Sequence, residues 1–144
     1  MNVNNASEVV SQFPWLQPTT VDGKRITAQP TKPYTELTFL PKGWRQAFGE
    51  QIARDIDALI TEANFRDQYA VSQIRVRKGR LQWEPFYVPR EIKQRHDEIV
   101  KKYADMSEVT CTVCGGPGSI FKSDVWGVPL CADCRSGAGK NGLR

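Results

Sequence analysis

The chain has 144 residues, 40% of them hydrophobic and 25% charged, with a formal net charge of +4. That suffices for one modest core, with or without a small satellite, and excludes two large ones. No apolar run approaches the roughly 20 residues that span a bilayer, and MNVNNASEVVSQFPW lacks a basic segment leading into an apolar one, so a cytoplasmic protein with no membrane role is expected.

Residues 1–43 hold Pro14, Pro18, Pro30, Pro33 and Pro41, which favour extended segments and turns. Phe13, Trp15, Leu16, Tyr34, Leu37, Phe39 and Leu40 are too many apolar groups for a disordered tail. A Pro-rich, partly ordered N-terminal extension is expected, draped over the later core. YTELTFL is a candidate strand, and the first ten or so residues are expected to be mobile.

From Trp44 the pattern changes. Trp44, Phe48, Ile52, Ile56, Leu59, Ile60 and Ala63 recur at three- and four-residue steps, which predicts an amphipathic helix of about 20 residues. Gly49 weakens its first turns. Asp55, Asp57 and Glu62 fit a solvated face. Next, Ile74 and Val76 alternate with Arg75 and Arg77, and Leu81 and Trp83 alternate with Arg80 and Gln82. The break at Lys78-Gly79 makes these two runs a β-hairpin. Pro89 suits the start of a second helix, whose stripe is Ile92, Ile99, Val100 and Tyr103. Residues 44–106 thus form a helix–hairpin–helix core.

Residues 107–135 contain every cysteine: Cys111-x-x-Cys114 and, 16 residues on, Cys131-x-x-Cys134. Each pair bends its backbone so that both sulfurs reach one ion, and the span between them folds back to bring the pairs together. That spacing points to a four-cysteine Zn²⁺ site. SIFK and VWGVPL would supply two short strands of a zinc-ribbon-like hairpin, and Gly115 and Gly116 would allow the knuckle turn. A disulfide framework does not suit a reducing compartment. Residues 136–144 form a Gly-rich tail.

Catalytic constellations are hard to assemble. His96 is the only histidine, Ser119 and Ser123 have no evident base, and GAGKNG lacks the spacing of a phosphate loop. His96, on a Lys/Arg-rich helix, is expected to be solvated or half-buried. Four thiolates close a metal's coordination shell, so the metal does not itself argue for catalysis. A non-enzymatic protein without a small-molecule substrate is expected.

The charge is uneven. Residues 71–103 carry nine Lys/Arg against four Asp/Glu, whereas residues 44–70 carry three against five. With Ile74, Val76, Leu81 and Trp83 facing the core, Arg75, Arg77 and Arg80 fall on the opposite face, with Lys78 at the turn. Arg90, Lys93, Arg95, Lys101 and Lys102 lie close by in sequence. Two uses are open for this face: phosphate contact with nucleic acid, assisted by stacking on Phe86 and Tyr87, or a protein interface. Trp126 in the cysteine module suits the second. A plain solvated face is the third alternative.

PKGWRQAF, QIRVRKGRLQW and TCTVCGGPG leading to LCADC, in this order, resemble a group of small proteins common in bacteriophages, prophages and their bacterial hosts. The resemblance covers roughly residues 41–134. In that group the hairpin often has an aromatic residue before its Gly and an Arg before its Trp, where this chain has Lys78 and Gln82. No activity is established for the group. The resemblance implies a mobile-element setting, in which small non-enzymatic proteins act by binding and blocking or recruiting a host protein or nucleoprotein complex. The whole describes an α+β protein: helix–hairpin–helix core, C-terminal four-cysteine module and Pro-rich extension.

Overall fold

The computed structural model describes residues 5–18, 35–120 and 127–141, with side chains as far as residue 136. Helices and a single two-stranded antiparallel hairpin make up the described residues, in an α+β arrangement with the cysteines gathered at the C-terminal end. Among these residues no helix is long and apolar enough to cross a membrane.

Residues 5–18 hold more regular structure than Pro14 and Pro18 suggest. Helix α1 (Ala6–Gln12) is capped by Asn5, whose side chain accepts from the Glu8 backbone N–H. Such a cap satisfies one of the orphan donors of a helix's first turn. Val9, Phe13, Trp15 and Leu16 are essentially inaccessible to solvent, so the expected mobility of the first ten residues does not extend to 5–10. Trp15 Nε1 and Arg66 Nε both donate to Asp57 Oδ1, at 2.9 and 2.7 Å, and Arg66 Nη2 donates to the Gln12 carbonyl. Asp57 therefore anchors the N-terminal segment and is not simply a solvated residue. Asp55 likewise accepts from the Tyr103 hydroxyl at 2.5 Å.

The candidate strand YTELTFL forms no strand within its described part. Glu36–Phe39 is a 3₁₀ turn, in which Thr35 and Thr38 cap each other's backbone. These local bonds replace the ladder that a third strand would need.

Helix α2 follows as one continuous run: Lys42–Trp44, a π-turn at Arg45–Gly49, and Glu50–Glu62. Phe48, Ile52, Ile56, Leu59 and Ile60 are buried along one stripe. Each such side chain contributes roughly 1.5–3 kcal/mol on leaving water. Strands β1 (Val71–Arg77) and β2 (Arg80–Pro85) pair with Ile74 opposite Trp83, Val76 opposite Leu81 and Arg77 opposite Arg80. Lys78 and Gly79 both have positive φ, as the two central positions of a tight hairpin turn demand. Helix α3 (Arg90–Ser107) packs on both α2 and β2. The Ser107 hydroxyl accepts the outward N–H of Leu81 at 2.9 Å and donates to the Ala104 carbonyl, which closes the free edge of β2. Helix α4 (Ala132–Asn141) follows the second cysteine pair.

His96 is buried, not solvated, with 1% of its surface exposed. It lies one helical turn beyond Ile92, on the apolar stripe. Trp83 Nε1 donates to the Tyr69 hydroxyl at 3.1 Å, and that hydroxyl shares a hydrogen bond of 2.7 Å with His96 Nε2. The other ring nitrogen, Nδ1, faces Asp97 Oδ1 at 3.5 Å. Burial lowers the His96 pKa from its usual 6.5, against a smaller opposing pull from Asp97. The folded state thus keeps the ring neutral, while the unfolded chain takes up a proton near that value. The stabilising contribution of the neutral ring is complete above about pH 6.5 and is lost progressively below it. Urea unfolding at pH 7.5 and 5.5 is expected to show this loss, and to show less of it in His96→Gln. An equal loss in both proteins would remove His96 as the cause.

Candidate metal centre and binding face

The cysteine module is assembled by backbone bonds before any ion is considered. The Thr110–Pro117 bridge closes the first knuckle, and Ser119 pairs with Leu130 through two bonds of 3.0 and 3.1 Å. Ser119 and Leu130 thus join the two predicted ribbon strands. Phe121 to Trp126 fall outside the described residues, and with them the rest of that hairpin and Trp126 as a candidate contact. Thr112 lashes the knuckles together, donating to the Pro129 carbonyl from its N–H (2.9 Å) and its hydroxyl (3.1 Å). Gly115 has φ +82°, the left-handed turn that its position after the first pair suggests.

The sulfurs of Cys111, Cys114, Cys131 and Cys134 all lie within 4.8 Å of one another. All four are free thiols, and Cys114 and Cys131 approach to 3.7 Å. Metal–sulfur bonds of about 2.3 Å arranged tetrahedrally put sulfurs roughly 3.8 Å apart, so the cluster has the dimensions to hold a metal ion. Backbone N–H groups already point at the sulfurs: Gly116 N donates to Cys114 Sγ at 3.4 Å and Cys134 N to Cys131 Sγ at 3.3 Å. Cys131 immediately precedes α4, where the helix N-terminus favours negative charge. Burial pushes the Cys111 thiol up, but backbone N–H groups of Cys114, Cys131 and Val113 outweigh it and bring the thiol down to about 6. Cys134 moves the other way, since its hydrogen bond to Cys131 holds the proton on. A bound cation would resolve that conflict by allowing all four sulfurs to ionise.

The module is seated directly on the start of α2. Gly43 N donates to the Thr112 carbonyl at 2.8 Å, and Trp44 Nε1 donates to the Thr110 carbonyl at 2.9 Å. A methyl group on Gly43 would overlap the Cys111 carbonyl and lie 2.7 Å from Gly115 N. The hairpin turn is seated too, because a methyl on Gly79 would overlap Ile120 and lie 2.5 Å from the Gly127 carbonyl. The knuckle and the start of α2 therefore meet backbone to backbone, while the tip of the hairpin abuts Ile120 and the Gly127 carbonyl.

The basic face is smaller than the sequence suggests. Arg75 and Arg77 are exposed on the outer side of β1, and Lys78 is exposed at the turn. Arg80, in contrast, is drawn to α3 by Asp105 at 2.8 Å and by Glu108. Several cations on the helices are neutralised as well, though Arg90 at the start of α3 has no acidic partner among the described residues. Lys93 pairs with Asp97 at 2.8 Å, Lys101 with Asp105 at 2.7 Å, Arg95 with Glu62 at 3.4 Å, and Lys102 lies 4.0 Å from Asp55. Spacing of four residues carries the first two pairs and is visible in the sequence; the others join residues far apart in the chain. Phe86 and Tyr87 are exposed beyond the end of β2 farthest from the turn. No protein-family model, curated protein or solved structure matches this chain.

Proposed function

We propose that the protein is a non-enzymatic zinc protein of phage type that acts by occupying a surface of a host protein or nucleoprotein complex. The observation that carries this reading is the convergence of four cysteine sulfurs within 4.8 Å. Zn²⁺ is the ion best suited to four thiolates in a tetrahedron, and such a closed shell leaves no position for a reacting water. The metal then serves the fold, as the core of a ribbon-like module. The chain's single histidine supports the same reading, since it is committed to a buried bond with Tyr69. Work is left to surfaces. The order of motifs from PKGWRQAF to LCADC, resembling small phage and prophage proteins, supports the host-directed setting.

Elemental analysis of the purified protein should find about one zinc per chain. An affinity capture from bacterial lysate, with and without nuclease, should retain a host component reproducibly. Metal-free protein purified without chelator, together with an empty capture, would overturn the reading.

A further inference from the structure

We infer that the tip of the hairpin, presenting Arg75, Arg77 and Lys78, is a docking site for the phosphodiester backbone of nucleic acid, bound without regard to base sequence. This rests on the reading of the protein as a binding module and names the chemistry of its partner.

The first argument is the contrast in charge pairing. Arg54, Arg66, Arg80, Lys93, Arg95 and Lys101 each have a carboxylate within 3.4 Å. Arg75 bonds only the neutral Gln82, at 3.0 Å, and neither Arg77 nor Lys78 has an acidic partner among the described residues. Of the segment's cations without an acidic partner among the described residues, three cluster at this tip and the fourth, Arg90, stands apart at the start of α3.

The second argument is that the tip is arranged against its own stability. Arg77 stands directly opposite Arg80 on the outer face, but Asp105 and Glu108 neutralise Arg80, so Arg77 is the member of the pair left without an acidic partner among the described residues. Lys78 sits at φ +53°, a left-handed conformation that asparagine or glycine adopts with less strain. A strained position that is itself cationic, next to an unpaired arginine, fits a bound polyanion that offsets the strain.

The third is presentation. Gly79 rests against Ile120 and Gly127, so the four-cysteine module braces the tip. Side chains two apart on one strand face emerge about 7 Å from each other, and arginine forks bind phosphate oxygens through paired, charge-assisted bonds. A protein interface instead draws affinity from aromatic anchors at its centre. The exposed aromatics Phe86 and Tyr87 follow the opposite end of β2. Among the described residues the patch presents three cations and no exposed aromatic side chain, with Ile120 the exposed apolar group beside it, which suits a repeating phosphate chain better than a folded protein surface.

The test is fluorescence anisotropy with zinc-loaded full-length protein and labelled 20-nucleotide oligonucleotides of two unrelated sequences, single- and double-stranded, from low to physiological salt. Expected is binding indifferent to sequence, with log affinity falling against log salt at a slope of about −2 to −3 for three contacts. Arg75→Gln with Arg77→Gln should reduce that slope by about 2 while zinc content and melting temperature hold. Lys93→Gln should leave it unchanged. Lys78→Asn should weaken binding while raising the melting temperature, which a purely structural lysine would not do. Absence of binding at low salt overturns the inference, as does an unchanged slope in the double variant. Polyglutamate competing as well as unlabelled DNA at equal charge would make the partner an acidic peptide and also overturn it. Failure here beside a nuclease-resistant captured host protein leaves the proposed function standing; failure of both assays removes both.

Discussion

Replacing Cys111 with serine is expected to abolish cooperative folding, not merely to loosen a surface module. Cys111 is completely buried, and its neighbours are the carbonyls on which α2 begins: Thr110 receives Trp44 Nε1 and Thr112 receives Gly43 N–H. A structural zinc site contributes about 10–16 kcal/mol in small zinc-binding peptides, which equals or exceeds the roughly 5–15 kcal/mol stability of a whole domain. Even a fraction of that lost would leave the start of α2 without its partner. Calorimetry with parallel metal analysis checks it. The wild type should unfold in one transition that a strong chelator removes, and Cys111→Ser should show neither the transition nor the metal. A variant melting at the wild-type temperature would mean that the cluster is dispensable.

The second large effect is expected from a single methyl group. In Gly43→Ala the new carbon would collide with the Cys111 carbonyl and crowd Thr112 C and Gly115 N, both at 2.7 Å. All three are backbone atoms, and those of Cys111 and Thr112 are held by hydrogen bonds, so none can move as a flexible side chain would. Overpacking of this kind costs about 3 kcal/mol, the upper end of the usual range, and lowers the melting temperature by about 10 °C. Gly116→Ala is the matched control. Its methyl would lie 3.5 Å from Cys114 Sγ, an ordinary contact, and should change stability by less than about 0.5 kcal/mol. Thermal melts of both, with zinc-release kinetics, separate the two positions. Equal melts would mean that the module does not press on α2 as described.

Local signals carried much of this fold. Period-two alternation around Lys78-Gly79 marked the hairpin, three- and four-residue steps marked α2 and α3, and the paired Cys-x-x-Cys spacing marked the cluster. Helix α1 was legible in principle: Asn5 followed three residues later by Glu8, ahead of Val9 and Val10, is a helix-start signature hidden by the nearby prolines. The burial of His96 had half a signal, its position one turn after Ile92, but the partner that makes burial affordable is Tyr69, 27 residues away. YTELTFL looked like a strand because it is a short run rich in Thr and aromatic residues. Thr35 and Thr38 then satisfied the backbone locally, which composition alone does not disclose. The basic face was overdrawn for a related reason, since Arg80 and Arg95 meet their carboxylates across elements.

The π-turn at Arg45–Gly49 gives α2 one residue more than a regular helix would hold there. One residue corresponds to about 100° of rotation, so this turn sets the phase between two halves of a single rod. Downstream, Ile52 and Ile56 are clocked to the core; upstream, Gly43 and Trp44 are clocked to the cysteine knuckle. Removing one residue would restore regular winding and swing Gly43 away from Thr112 with every contacting side chain still present. Along this stretch, length rather than composition is the quantity that couples the core to the cysteine cluster.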